Sequence, residues 1–342
     1  MTPLLSDSSH VSWWIRRIAK IRGLIRAVLL AFPLIWTLAA NAGLTFTPGH
    51  LYSASNGSGS ADIYEYSETG TFLSSITPQS LVPGDELRGI AFGPDGFLYA
   101  VKIHFADSGF NILALDSSGN VQVTYTMGGI YLGGDSGYGK IAFDQQYIYV
   151  AGGTDLVRVT FGYPNSGVSI YSNNSIIDVK TLPNGHLFVA WGYGVDEITN
   201  TGIVVRSIPL IGANWGNVQG IEYDPTTNKL FATELGYTGF DSPLMRINAS
   251  TGELEDSVYF NYGNDLFLTQ SHTLLVGCYV QPPGMFDENL TSVGSLGTEE
   301  RVFVTQYAGP TPTPTPCTGR CSPTPRPRPA PPPRPMQLHT VK

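Results

Sequence analysis

Charge is scarce in this chain. Only 13% of its 342 residues are Asp, Glu, Lys or Arg, while 39 glycines and 25 prolines punctuate it, a balance that excludes a helical bundle and fits turn-rich β-structure. Cysteine is nearly absent too: three residues allow one disulfide and one leftover thiol. Cys317 and Cys321 bracket a Gly-containing turn and form the natural pair, a mixed disulfide between chains being equally open to them. They are too few to hold zinc, because His339 is far down the same tail. Cys278 follows an apolar run and reads as a small buried hydrophobe. No Gly-x-Ser-x-Gly elbow accompanies His104, His186 or His272, so nucleophilic catalysis has no visible constellation.

What is present begins with 42% hydrophobic residues, including 16 Phe and 18 Tyr, enough for a large core and incompatible with global disorder. The net charge of −8 hides unequal parts. Residues 1–42 and 310–342 each hold five basic residues, whereas 43–309 carries 26 acidic and nine basic ones, a net of −17. Such a body repels phosphate backbones, and nucleic acid is excluded as a partner.

The first 42 residues read as an export signal: Arg16, Arg17, Lys20, Arg22 and Arg26 precede the apolar run 27–40, which ends at Ala40-Asn41-Ala42 with cleavage expected before Gly43. The run is shorter than the about 20 residues of a comfortable membrane span, so no stable span is expected after cleavage. An uncleaved N-terminal anchor is the alternative; the Arg16-Arg17 pair lacks the full apolar context of twin-arginine export. Twelve of the 26 residues from Pro310 to Pro335 are proline, which favours an extended, disordered spacer. Its Arg326, Arg328 and Arg334 either hold an anionic cell-surface polymer or keep a solvated stalk soluble. The protein is expected outside the cytoplasm, secreted or periplasmic and associated with the cell surface if the tail holds it there, and to act as a monomer.

Between these ends the chain repeats itself. Segments 89–101, 140–150, 178–189, 220–232 and 265–276 each join two short apolar strands through a polar turn, which in the first four contains Pro, Asp, Asn or Gly, a hairpin signature with residues that tolerate φ > 0 or preset the first corner. A third and a fourth segment recur six times, the third near 62–67, 111–116, 155–160, 195–199, 244–248 and 285–289, the fourth beginning near Phe72, Val121, Val168, Val204, Leu254 and Val293, the first set following the lone strand at Leu51. Equivalent first strands at Ile90, Ile141, Val179, Ile221 and Leu266 stand 51, 38, 42 and 45 residues apart, the length of four short strands and their turns. This predicts an all-β, six-bladed β-propeller over 43–309. The stub 44–46 and the orphan segment 301–307 are expected to share one sheet and close the ring; a seventh, incomplete blade is the alternative.

At these repeats, above all GIAFGPDGFLYAV at 89–101, the chain resembles the NHL-repeat and gluconolactonase-like six-bladed propellers. The resemblance covers about 43–309 and lies in the blade pattern, which recurs in proteins of unrelated activity. Lactonase-type members hold a calcium-like ion in the axial channel. The resemblance therefore implies an alternative metal set of Glu86, Asp178, Asn217, Asn264 and Asp265, a hard cation needing about six oxygens at one point. Arg88 and Lys140 stand in the same ring, and an ion-paired ring closing the channel without a cofactor is the plainer expectation.

Aromatic residues concentrate in the loops of one face: Trp191, Tyr193, Trp215, Tyr237, Phe240 and Tyr279, with His104 near the same mouth. They either stack on a sugar or clamp a peptide, or cap the core. The functional expectation is a non-enzymatic recognition module for a carbohydrate, peptide or protein, against the alternative of a metal-dependent lactonase or esterase.

Overall fold

The computed structural model describes residues 46–55, 62–104, 109–127, 139–208, 210, 217–235 and 243–309. The export signal, the Cys317 and Cys321 pair and the proline-rich tail lie outside the described residues. These residues form 23 strands and no helix, so none of them makes a helix able to cross a membrane.

In chain order, β1 (Leu51–Ala54), β2 (Ile63–Tyr66) and β3 (Phe72–Ile76) open the first sheet. A second sheet is β4 (Asp85–Phe92), β5 (Leu98–His104), β6 (Phe110–Leu115) and β7 (Val121–Met127). Next come β8 (Ile141–Phe143), β9 (Tyr147–Ala151), β10 (Gly153–Thr160), β11 (Val168–Thr181), β12 (His186–Trp191), β13 (Gly194–Thr199) and β14 (Val204–Ile208), all in one seven-stranded sheet. Two further sheets of four contain β15 (Asn217–Asp224), β16 (Lys229–Leu235), β17 (Pro243–Asn248) and β18 (Leu254–Tyr259), then β19 (Gly263–Leu268), β20 (Leu274–Cys278), β21 (Gly284–Phe286) and β22 (Ser292–Ser295). Finally β23 (Phe303–Gln306) returns to the first sheet and pairs antiparallel with β1, Leu51 opposite Gln306 and Ala54 opposite Phe303.

Each sheet runs from a buried inner strand to an exposed outer one. Strands β1, β20 and β23 are buried at every residue, whereas β22 is exposed throughout and β3 is exposed except at Ile76. Burial on both faces favours the continuous apolar runs of the inner hairpins, and the rim tolerates polar residues because it meets water. The hairpin turns follow from local chemistry: Gly96 and Gly185 take φ of 85° and 81°, which side chains resist.

The one departure from a four-strand rhythm is β11. Two strands are expected there, yet its 14 residues run unbroken from a rim position beside β10 to an inner position beside β12. No Gly or Pro lies between Val168 and Thr181 to end the strand; the bend is made instead by Ser175, at φ 61°, and a register shift between Ile176 and Asp178.

Phe46 anchors the start of the described body, its ring 5.6 Å from Tyr52, 4.9 Å from Phe92 and 5.6 Å from Tyr307. Cys278 is fully buried, and its thiol donates to the Asn261 carbonyl at 2.8 Å.

Candidate functional site

The inner strands bring their first residues to a common axis. In β11, Asp178 and Lys180 flank the core residue Val179, and the period of two sends both to the same face. The corresponding places are Lys140 and Ala142 around Ile141, Gly220 and Glu222 around Ile221, Asp265 and Phe267 around Leu266, and Phe303 and Thr305 around Val304. At Gly220 the neighbouring strand is so close that a Cβ would stand 2.1 Å from the Asn264 carbonyl oxygen, which is why no side chain occupies that place.

These groups form a buried ionic lattice. Asp178 is fully buried; one carboxylate oxygen accepts from the Val179 amide at 2.7 Å and the other from the Ile221 amide on the next sheet at 2.9 Å. Asp265 repeats the device, accepting from the Val304 amide at 3.0 Å. Lys140 donates to the Gln219 carbonyl and, at 2.8 Å, to the Asn264 carbonyl. Lys180 donates to the Leu266 carbonyl at 2.8 Å and lies 3.3 Å from Glu222. Burial lowers the Lys140 amine, and Asp178 and Asp265 oppose that shift. Burial also raises the carboxyl groups of Glu222 and Asp265, the latter to about 6, against the pull of the lysines. Lys180 and Glu222 are absent from the sequence reading, which looked only before each inner strand; the signal that finds them is the period of two, one residue past Val179 and Ile221.

The residues of the alternative metal set differ in their surroundings, and the Asn264 side-chain oxygen is buried without a hydrogen-bond partner. Glu86 pairs with Arg88 at 2.7 Å, both nearly fully buried. Asn264 donates its side-chain N–H to the Tyr279 hydroxyl at 2.7 Å, and Asn217 is exposed. Asp178 and Asp265 accept from amides, bonds that fix the orientation of both carboxylates.

Of the aromatic candidates, Trp215, Tyr237 and Phe240 lie outside the described residues. Trp191 ends β12 opposite Ile176, with its indole N–H buried and without a hydrogen-bond partner, and Tyr193 in the following turn is 66% exposed. Tyr279 packs beside the core and accepts from Asn264. His104 pairs with Asp85 at 2.9 Å, and Lys102 reaches the same carboxylate at 2.8 Å. All four stand beside the starts of inner strands, since Trp191, His104 and Cys278 pair with Ile176, Asp85 and Gly263.

An axial cavity of about 360 Å³ lies at the other end of those strands, among the turns that follow β4, β8 and β23. It exists because Ala91, Ala142 and Thr305 are small where β11, β15 and β19 place Lys180, Glu222 and Phe267. Sequence reasoning placed the mouth at the starts of the strands; side-chain volume along the strands puts this cavity at their ends.

Two other groups are prominent. Glu234 on β16 is 2% exposed, one of its carboxylate oxygens has no partner, and burial raises it to about 7. A carboxyl group raised on folding stabilises the native state fully below its unfolded value of about 4.3, and that contribution disappears as pH rises through 7. Glu234→Gln is therefore expected to be more stable than the wild type at pH 8 by about 2 kcal/mol and indistinguishable at pH 4, as read from urea melts at the two pH values. Asp224, His272 and Glu288 also gather, with ligand atoms within 4.8 Å of one another and His272 2.5 Å from Glu288.

No family model matches this chain, and no curated protein matches it. Among solved structures it is similar to a protein of unknown function from Bacteroides caccae, with 13% identity and a TM-score of 0.55 over 77% of this chain and 100% of that one. It is likewise similar to a chain of the nidogen/laminin complex, with 14% identity and a TM-score of 0.56 over 75% of this chain and 98% of that one. Together with the four-stranded antiparallel sheets, these likenesses define the class: a β-propeller-like all-β fold.

Proposed function

We propose that this chain is an exported, non-enzymatic recognition module, built as a six-bladed propeller, that binds a protein or peptide on the face carrying Trp191, Tyr193 and Tyr279. The blade count reads the seven-stranded sheet as two four-stranded units sharing β11, and the β23–β1 pairing as ring closure. Residues 1–42 are the export signal, delivering a monomer to the periplasm or the exterior, and 310–342 is the spacer.

One observation carries this reading: Trp191 presents a buried, unpartnered indole N–H beside the highly exposed Tyr193, a pair suited to a ligand that offers both apolar surface and a carbonyl acceptor. The axial carboxylates, by contrast, are held by amides and lysines and so are poorly placed to activate water. The complex named for the nidogen/laminin neighbour is a protein–protein assembly, which supports a protein ligand.

The test screens the full chain and a Trp191→Ala/Tyr193→Ala variant against immobilised peptide and glycan arrays. Peptide ligands are expected whose affinity falls about tenfold or more in the variant while Tm is unchanged. Ligands confined to glycans would replace the protein partner by a carbohydrate. Turnover of an aliphatic lactone that depends on calcium would replace the module by a hydrolase.

A further inference from the structure

The axial cavity at the ends of β4, β8 and β23 lies apart from the recognition face. Its floor and its mouth differ in chemistry. Among the residues lining the cavity, the carboxylates of Asp144, Glu222 and Asp265 outnumber the ammonium groups of Lys140 and Lys180. Both lysines turn toward the protein: Lys140 to two backbone carbonyls, Lys180 to a carbonyl and Glu222. Beside Asp265, whose carboxylate is bonded to the Val304 amide, the next residue Thr305 lines the cavity. Thr305 is 1% exposed, and its hydroxyl has no hydrogen-bond partner. A buried hydroxyl without a partner has lost its water without compensation, so a ligand group that bonds to it regains that loss on docking. The mouth is aromatic, formed by Phe92, Phe143, Phe267 and Tyr307, with the Phe92 and Tyr307 rings 4.7 Å apart.

We propose that this cavity binds a small organic cation, an ammonium group carried on an apolar body about the size of one aromatic ring. The ammonium donates to the Thr305 hydroxyl oxygen and faces the Asp265 carboxylate, while the body lies against the rings, whose faces attract positive charge. An anion would meet the carboxylate excess, and a neutral alcohol would leave it uncompensated. Burial raises the Asp265 and Glu222 carboxyl groups, and an added positive charge offsets that cost. The cavity volume falls in the range of ligand pockets, about 300–1,000 Å³. The net charge of −17 over 43–309 favours the approach of cations to the body.

The test is calorimetric titration of the full chain with three probes of similar shape: 2-phenylethylammonium, 2-phenylethanol and 3-phenylpropanoate. The ammonium is expected to bind at least about tenfold more tightly than either of the others, and to raise Tm by mass action. Thr305→Val, which keeps shape and charge, is expected to weaken the ammonium about fivefold or more, and Asp265→Asn more still. The Trp191→Ala/Tyr193→Ala variant should bind it as the wild type does, separating this site from the recognition face. Equal binding of the three probes, wild-type affinity in both Thr305→Val and Asp265→Asn, or neither heat nor a Tm shift at about 10 mM ammonium would overturn the proposal.

Discussion

Removing residues 299–342 is expected to unfold the body at room temperature, whereas removing 310–342 alone should leave its melting curve where it was. The first truncation takes away β23, whose four residues are all buried, together with Val302 and Tyr307. Val302, Phe303, Val304 and Tyr307 are each at most 4% exposed, and at about 1.5–3 kcal/mol per buried side chain their loss reaches the whole stability of an ordinary domain. The damage extends further. β1 would lose one of its two partners along the whole register from Leu51 to Ala54, and Asp265 would lose the Val304 amide it accepts from. Paired thermal melts by circular dichroism decide the matter, and equal Tm values for the two truncations would refute terminal strand exchange.

The second large effect is expected at Asp178. Replacing it with Ala strips the Ile221 amide of its acceptor and leaves Lys140 and Lys180 with one fewer counter-charge, so a loss of about 3–5 kcal/mol is expected in urea melts. The origin of that loss can be separated from simple cavity formation. In a double-mutant cycle with Lys180→Met, the pair should lose at least about 1 kcal/mol less than the sum of the singles, because the second change removes the cation that the first left unbalanced. Additive losses would mean that the ionic lattice contributes nothing through charge. Calcium distinguishes the metal alternative: it is expected to leave the Tm of the unmodified chain unchanged, and a rise of several degrees that vanishes in Asp178→Ala would turn these acids into ligands.

The blade rhythm was legible in the sequence because each strand is written in local chemistry. Apolar pairs around Ile90, Ile141, Val179, Ile221 and Leu266 and the turn residues between them depend only on near neighbours, and the fourth strands begin at Phe72, Val121, Val168, Val204 and Leu254 as the repeats imply. The orphan segment 301–307 was legible for the same reason: an apolar strand without a hairpin partner of its own must find one elsewhere. β11 shows the limit of such reading, since its two expected strands fuse where no Gly or Pro intervenes and a bulge, invisible in composition, makes the turn inward.

The site was legible only in part, and the reason is physical. Polar residues preceding the inner strands, Lys140, Asp178 and Asp265, could be named in advance because their positions repeat. Their partners could not. Lys140 bonds to Gln219 and Asn264, 79 and 124 positions away, and Asp178 to the amide of Ile221, contacts that arise when separate sheets meet at one axis. The cavity depends on the same convergence: Ala91, Ala142 and Thr305 are unremarkable in their own strands and create a space only where they face one another. Residue types, strand order and turn positions were thus determined by the sequence itself, through short-range propensity and periodicity. Which carboxylate meets which lysine, which hydroxyl is left without a partner, and at which end the axis opens were decided by tertiary packing, because each is a relation between residues that only the assembled sheets bring together.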